Sequence, residues 1–194
     1  MGSEQLFSLG NLTAYLYIGM LTGIFEAGLA YLILRNNRWG KAGWDQALVF
    51  GIGFGVVEAL LLGFAGLLSG LVGITAPDTL PIPTLGSMAG NSTLVMGLAP
   101  VVERLWVIFA HIFACVLIFY AIASGEAKWA WLAVLYKTVL DAPAGFASFW
   151  GVTSSAAKLW TIEAVIALIG LIGLWGTLLI IRRYQRTQTS SEPP

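Results

Sequence analysis

Long apolar stretches separated by short polar punctuation organise this chain. Five of them are long enough for a helix to cross bilayer hydrocarbon, which takes roughly 20 residues. They run from about Leu6 to Arg35, Trp44 to Ile74, Leu98 to Ala123, Trp129 to Trp150 and Leu159 to Ile181. The runs are continuous and lack a period of two, so they predict helices and not the strands of a barrel. The pattern therefore predicts an all-α fold, a polytopic transmembrane helix bundle of about five spans. It forms a single domain over residues 1–186, followed by a disordered tail over 187–194. The first two stretches exceed the hydrocarbon thickness and are expected to tilt or to begin outside it. No internal repeat supports the inverted-repeat plan of many transporters.

Composition agrees: 58% of residues are hydrophobic and 10% charged, against about 25% charged in soluble domains. The net charge of zero gives no electrostatic basis for a nucleic-acid partner. It leaves membrane lipid as the surroundings and a membrane protein or peptide as the conceivable substrate. The basic residues inform by position. Arg35, Arg38, Lys41, Lys128, Arg182, Arg183 and Arg186 fall in connections on one side, and only Lys158 falls on the other. The positive-inside rule then places the N-terminus outside and the C-terminus in the cytoplasm, with the plasma membrane as the expected location. Trp39, Trp44, Trp129, Trp150 and Trp160 lie near span ends, as an interfacial belt requires. The one long connection, Thr75 to Gly97, carries Pro77, Pro81 and Pro83 and suits a functional lid or a mobile loop. Cys115 is the single cysteine, so no internal disulfide forms.

Against this background the polar residues inside the spans stand out. Glu26, Glu58, Glu103 and His111 sit deep in apolar sequence, where an ionised carboxylate costs on the order of 2.5 kcal/mol by the mildest scale. Glu58, His111 and Asp141 fall near mid-bilayer, Glu26 nearer the cytoplasmic side, and Glu103 with Arg104 nearer the outer side. On the third span Arg104 and His111 share a face, with Cys115 one turn beyond. Lys137 and Asp141 have the i,i+4 spacing that lets them neutralise each other, and Glu103 with Arg104 is a second possible structural ion pair. Asp45 opens a helix and complements its dipole. Glu163 lies near a span end and is expected to reach the interface. The small residues of Gly51-Ile52-Gly53-Phe54-Gly55 suit close helix approach.

A carboxylate in an apolar pocket serves as a general base toward water, and a nearby imidazole orients that water or donates to an oxyanion. Glu58 or Glu26 as base, His111 as orienter, and Asp141 or Arg104 as polar support would make a hydrolytic site inside the bilayer. With one histidine, a zinc site of two histidines and one glutamate is excluded within the chain. A site of His111 with several carboxylates stays open, but no ligand spacing recommends it, so the metal and any cofactor are undetermined. The same residues would serve a proton relay in a transporter, and a membrane scaffold or binding subunit is the third class. No Walker sequence, serine-nucleophile elbow or HExxH is present.

Three segments carry a family resemblance. Gly23-Ile24-Phe25-Glu26-Ala27-Gly28-Leu29-Ala30-Tyr31, then Asp45 through Ala59 with Glu58, and Glu103-Arg104-Leu105 with His111 resemble, in order and spacing, the YhfC family of intramembrane proteases. That family is related to the CAAX-protease/bacteriocin-processing and PrsW groups. The resemblance covers roughly Thr22 to Ala147. It implies a helical bundle with a membrane-embedded site, where a glutamate activates water and polar residues of other helices stabilise the oxyanion. By position, Glu26 stands for the first residue of a paired-Glu motif, Glu58 and Glu103 for further membrane glutamates, His111 for a third-segment histidine, and Asp141 for a late polar position. Ala27 and Ala30 replace the second Glu and the following Arg of that motif, and Phe54 stands where a histidine is expected. The reading is an intramembrane endopeptidase, glutamic or metal-dependent, with Glu26, Glu58 and His111 catalytic and Glu103, Arg104 and Asp141 supporting. The alternatives are an inactive relative acting as a membrane scaffold and a proton-coupled transporter.

Overall fold

Helices account for all the regular structure in the computed structural model, which describes residues 9–79, 94–152 and 155–189. Helix α1 (Leu9–Thr22), a π-helical turn (Gly23–Gly28) and α2 (Leu29–Arg35) join end to end as one rod. A short 3-10 turn (Arg38–Lys41) leads to α3 (Trp44–Thr75), which Asp45 opens from its first turn and a second 3-10 turn (Pro77–Thr79) follows. Then come α4 (Leu94–Ser124), α5 (Lys128–Trp150) and α6 (Ala156–Thr189).

The expected all-α bundle is present, with three differences in detail. Among the described residues, four helical segments are both long and apolar enough to cross a membrane: Thr13–Arg35, Trp44–Thr75, Leu94–Ser124 and Ala156–Arg186. The expected fourth span is α5, whose 23 residues give about 35 Å at 1.5 Å per residue. Its length suffices, but Lys137 and Asp141 interrupt its apolar run. Second, α4 begins at Leu94, ahead of the expected Leu98, and carries Pro100 inside it. Residues 80–93 of the long proline-containing connection, with Pro81 and Pro83, lie outside the described residues. Third, α6 continues to Thr189, so the start of the expected tail is helical, and residues 190–194 lie outside the described residues.

The core sits around α4. Of the residues in its most apolar stretch 72% are buried, against 17% in each of the first two spans and 28% in the last. Helices α3, α5 and α6 all pack against it, and the α1 rod lies along α5. Two glycines set the approaches that later position the site. A Cβ on Gly51 would lie 2.6 Å from the Cα of Ile112, so only glycine lets α3 meet α4 at that depth. A Cβ on Gly23 would lie 2.6 Å from both Thr138 Oγ1 and the Val134 carbonyl oxygen, which seats the rod on α5 one turn before Glu26.

The two ends of the bundle differ in charge. At one end the Tyr184 hydroxyl donates to the Ala42 carbonyl (2.7 Å), and Lys128 and Arg183 both lie over the Trp129 ring. Glu126 accepts from Trp129 Nε1 (2.8 Å) and pairs with Lys128 (2.9 Å), which closes the α4–α5 turn. The Lys128 contact foremost, then the Trp129 bond, hold this exposed carboxyl below its usual range. Lys158 marks the other end: its ammonium donates to the Trp150 carbonyl (3.0 Å) and lies over that ring, satisfying the last turn of α5.

Candidate active site

Glu26, on the π-helical turn, meets Glu58 of α3 and His111 of α4. One potential ligand atom from each lies within 4.8 Å of the others. The π-turn inserts an extra residue into the helical turn that carries Glu26, with the Leu29 amide reaching back to the Ile24 carbonyl. Such turns are frequent at functional sites, and no sequence feature announced this one. Glu58 is gripped by both its oxygens: Arg104 Nη1 lies 2.9 Å from Oε1 and His111 Nε2 lies 2.8 Å from Oε2. The shared face of Arg104 and His111 on α4 is what makes the double grip possible. Arg104 also pairs through Nη2 with Glu103.

On the other side of Glu26, Lys137 Nζ lies 2.8 Å from Oε2 and 3.5 Å from Asp141 Oδ2. The residues expected to form two isolated ion pairs thus belong to one network. It runs from Asp141 through Lys137 and Glu26 to Glu58 with His111, and on through Arg104 to Glu103. His111 and Lys137 are each only 2% exposed. Sequence reasoning treated Lys137 as a local partner of Asp141 and missed its reach to Glu26. The available signal was a lone lysine in an apolar span, which needs every acid it can reach.

Glu163 is a correction. Expected at the interface, it is buried inside the bundle on α6 at 4% exposure. The helix starts at Ala156, so Glu163 lies two turns in and not at a frayed end.

Two spaces adjoin the cluster. A cavity of about 10 Å³ is lined by Glu26, Phe54, His111, Cys115 and Lys137 among others, and it is close to the size of one water. An open, mostly apolar cleft of about 520 Å³ reaches Glu26 and Glu58 past Gly53, Phe54 and Val57. Glu26 lines both, so it is the carboxylate that faces the interior and the entrance together. Gly53, unlike Gly51, has nothing within 4 Å of where a Cβ would stand, which keeps the cleft wide.

The donor set can be tested against a divalent cation. One imidazole and two carboxylates from three separate segments are ligands that zinc and similar ions accept. Glu26, Glu58, Glu103 and Asp141 are four acids facing two cations, Arg104 and Lys137. Acids outnumber these cations, so the cluster has carboxylate oxygens to offer an added cation. Glu26 Oε2 and His111 Nε2 are buried and, among the described residues, make no aligned hydrogen bond, although each has a charged neighbour at 2.8 Å. Of these two contacts, the one between His111 and Glu58 joins two metal-type ligands, while Glu26 meets the ammonium of Lys137. The residues present fit a metal ion.

Fold and site together define a polytopic helical membrane protein in which two carboxylates and a buried imidazole meet beside an open cleft. The chain belongs to the YhfC intramembrane metalloprotease family, whose model matches residues 8–169. No curated protein matches it, and no solved structure does.

Proposed function

We propose that this protein is a metal-dependent intramembrane endopeptidase whose centre is Glu26, Glu58 and His111. The convergence of these three side chains within 4.8 Å carries the reading. Membership of an intramembrane metalloprotease family supports it. Glu26, Glu58 and His111 would hold the ion. When bound, such an ion polarises a scissile carbonyl and makes water a stronger nucleophile at neutral pH.

The chain's own groups have distinct tasks. Arg104 holds Oε1 of Glu58 so that Oε2 stays on the His111 side. Glu26 faces the cleft, and its carboxylate oxygen not given to the ion would accept a proton from the attacking water and return it to the amide nitrogen as the C–N bond breaks. Glu103 shares the Arg104 guanidinium and fixes its orientation. Asp141 does the same for Lys137 from the far side. The apolar cleft admits an extended stretch of a membrane substrate and holds bulk water away, which strengthens each electrostatic contact inside. The protein lies in the plasma membrane with its N-terminus outside, and the gathering of Lys128 and Arg183 around Trp129 at one end supports that orientation.

The test is cleavage of membrane-anchored peptide reporters in vesicles containing the purified protein. Glu26→Gln, Glu58→Gln and His111→Ala are each expected to lower cleavage by about 100-fold or more, and a divalent chelator is expected to abolish it. Unchanged cleavage in all three variants would remove the assignment.

A further inference from the structure

Lys137 occupies an unusual place between two acids. Its ammonium is 2.8 Å from Glu26 Oε2 and 3.5 Å from Asp141 Oδ2, and its side chain is almost wholly enclosed. Asp141 Oδ2 is itself buried and has no aligned hydrogen-bond donor among the described residues. A buried carboxylate oxygen without a donor is costly. Here the donor that would satisfy it is under an ångström beyond ordinary ion-pair contact, on the next turn of the same helix. The four-carbon stem of lysine gives the ammonium more than enough reach to exchange the two acids.

Glu26 is also one of the three ligands of the proposed metal centre, and a divalent cation and an ammonium cannot both approach one carboxylate oxygen closely. Like charges at such spacing repel strongly where the effective dielectric is low. We propose that Lys137 is a displaceable counter-ion: its ammonium holds Glu26 when no metal is bound and passes to Asp141 when a divalent cation enters. Asp141 is then a positioning residue, the second seat that makes the exchange possible. The inference rests on the metal-binding reading of Glu26, Glu58 and His111 given above. It explains why a lysine and an aspartate one turn apart sit beside a metal-type donor set without belonging to it. Between the two states the protein would keep Glu26 compensated and correctly aimed.

The experiment is a double-mutant cycle on Co²⁺ binding to the full-length protein in detergent, read by chelator competition and visible absorption. Lys137→Met is expected to bind Co²⁺ about tenfold more tightly than the natural chain, since no cation must leave Glu26. Asp141→Asn is expected to bind about tenfold more weakly, because the displaced ammonium has no second seat. In the Lys137→Met background Asp141→Asn is expected to change affinity by less than about twofold, since Asp141 acts through Lys137. If Asp141→Asn weakens binding by the same factor in both backgrounds, the carboxylate is only a general negative charge and the exchange is refuted. Should Lys137→Met fail to fold, Lys137→Gln takes its place in the cycle, and affinity of Asp141→Asn within twofold of the natural chain by itself refutes the exchange. Absence of Co²⁺ binding in the natural chain, with no difference from Glu58→Gln, would overturn the metal reading itself and this inference with it.

Discussion

The ring of Phe54 lies 5.1 Å from the ring of His111, tilted by 33°. It covers the imidazole and lines both the inner cavity and the open cleft. Phe54 therefore occupies a position from which a second imidazole would face the centre, the position where the family resemblance leads one to expect a histidine. Phe54→His is expected to add a nitrogen ligand and to tighten divalent-ion binding by about tenfold, a difference of ~1.4 kcal/mol. Chelator competition against the natural chain measures it. An unchanged affinity would show that residue 54 does not reach the ion.

Arg104 compensates two acids at once. Arg104→Met would leave Glu58 and Glu103 facing each other without a cation. Breaking a buried pair costs about 3–5 kcal/mol, and the roughly one-quarter exposure of these side chains reduces that to about 1–3 kcal/mol here. Thermal unfolding in detergent is expected to show the loss. Adding Glu103→Gln to the same chain is expected to recover part of it, and no recovery would mean that the two acids do not interact.

Gly51 and Gly53 are two residues apart on α3 and predict opposite results. Gly51→Val forces atoms against the Ile112 backbone and separates α3 from α4, at a cost of about 1–3 kcal/mol, and the Glu58–His111 contact is lost with it. Gly53→Ala meets open space and is expected to be neutral or slightly stabilising, by up to ~1 kcal/mol. Similar melting shifts for both would contradict the packing described for α3.

The proposed orientation predicts which side reacts with an impermeant thiol reagent. Cys115 is buried and is expected to stay unlabelled in intact cells. Ala157→Cys, beside Lys158, is expected to label from outside, and Ala127→Cys, beside Lys128, only after the membrane is opened. The reverse pattern would invert the topology.

The bundle was legible from the chain itself, because a long apolar run has one low-energy answer in lipid: a helix that satisfies its own backbone. The acids, the histidine and their family pattern were equally visible, since charge inside apolar sequence is conspicuous wherever it folds. Helix α5 is where the chain led one to expect it, although Lys137 and Asp141 make it less apolar than the other four spans. Glu163 was misplaced, because distance from a span end does not say which face of a helix is covered. The joining of Glu26 to Lys137, and of Arg104 and His111 to opposite oxygens of Glu58, required the tertiary structure. These contacts depend on the π-turn at Gly23–Gly28 and on the close approaches at Gly23 and Gly51. A shift of one residue in a helix rotates a side chain by about 100°, so periodicity assigns a carboxylate to the membrane but not to its partner. Only the packed backbones decide that.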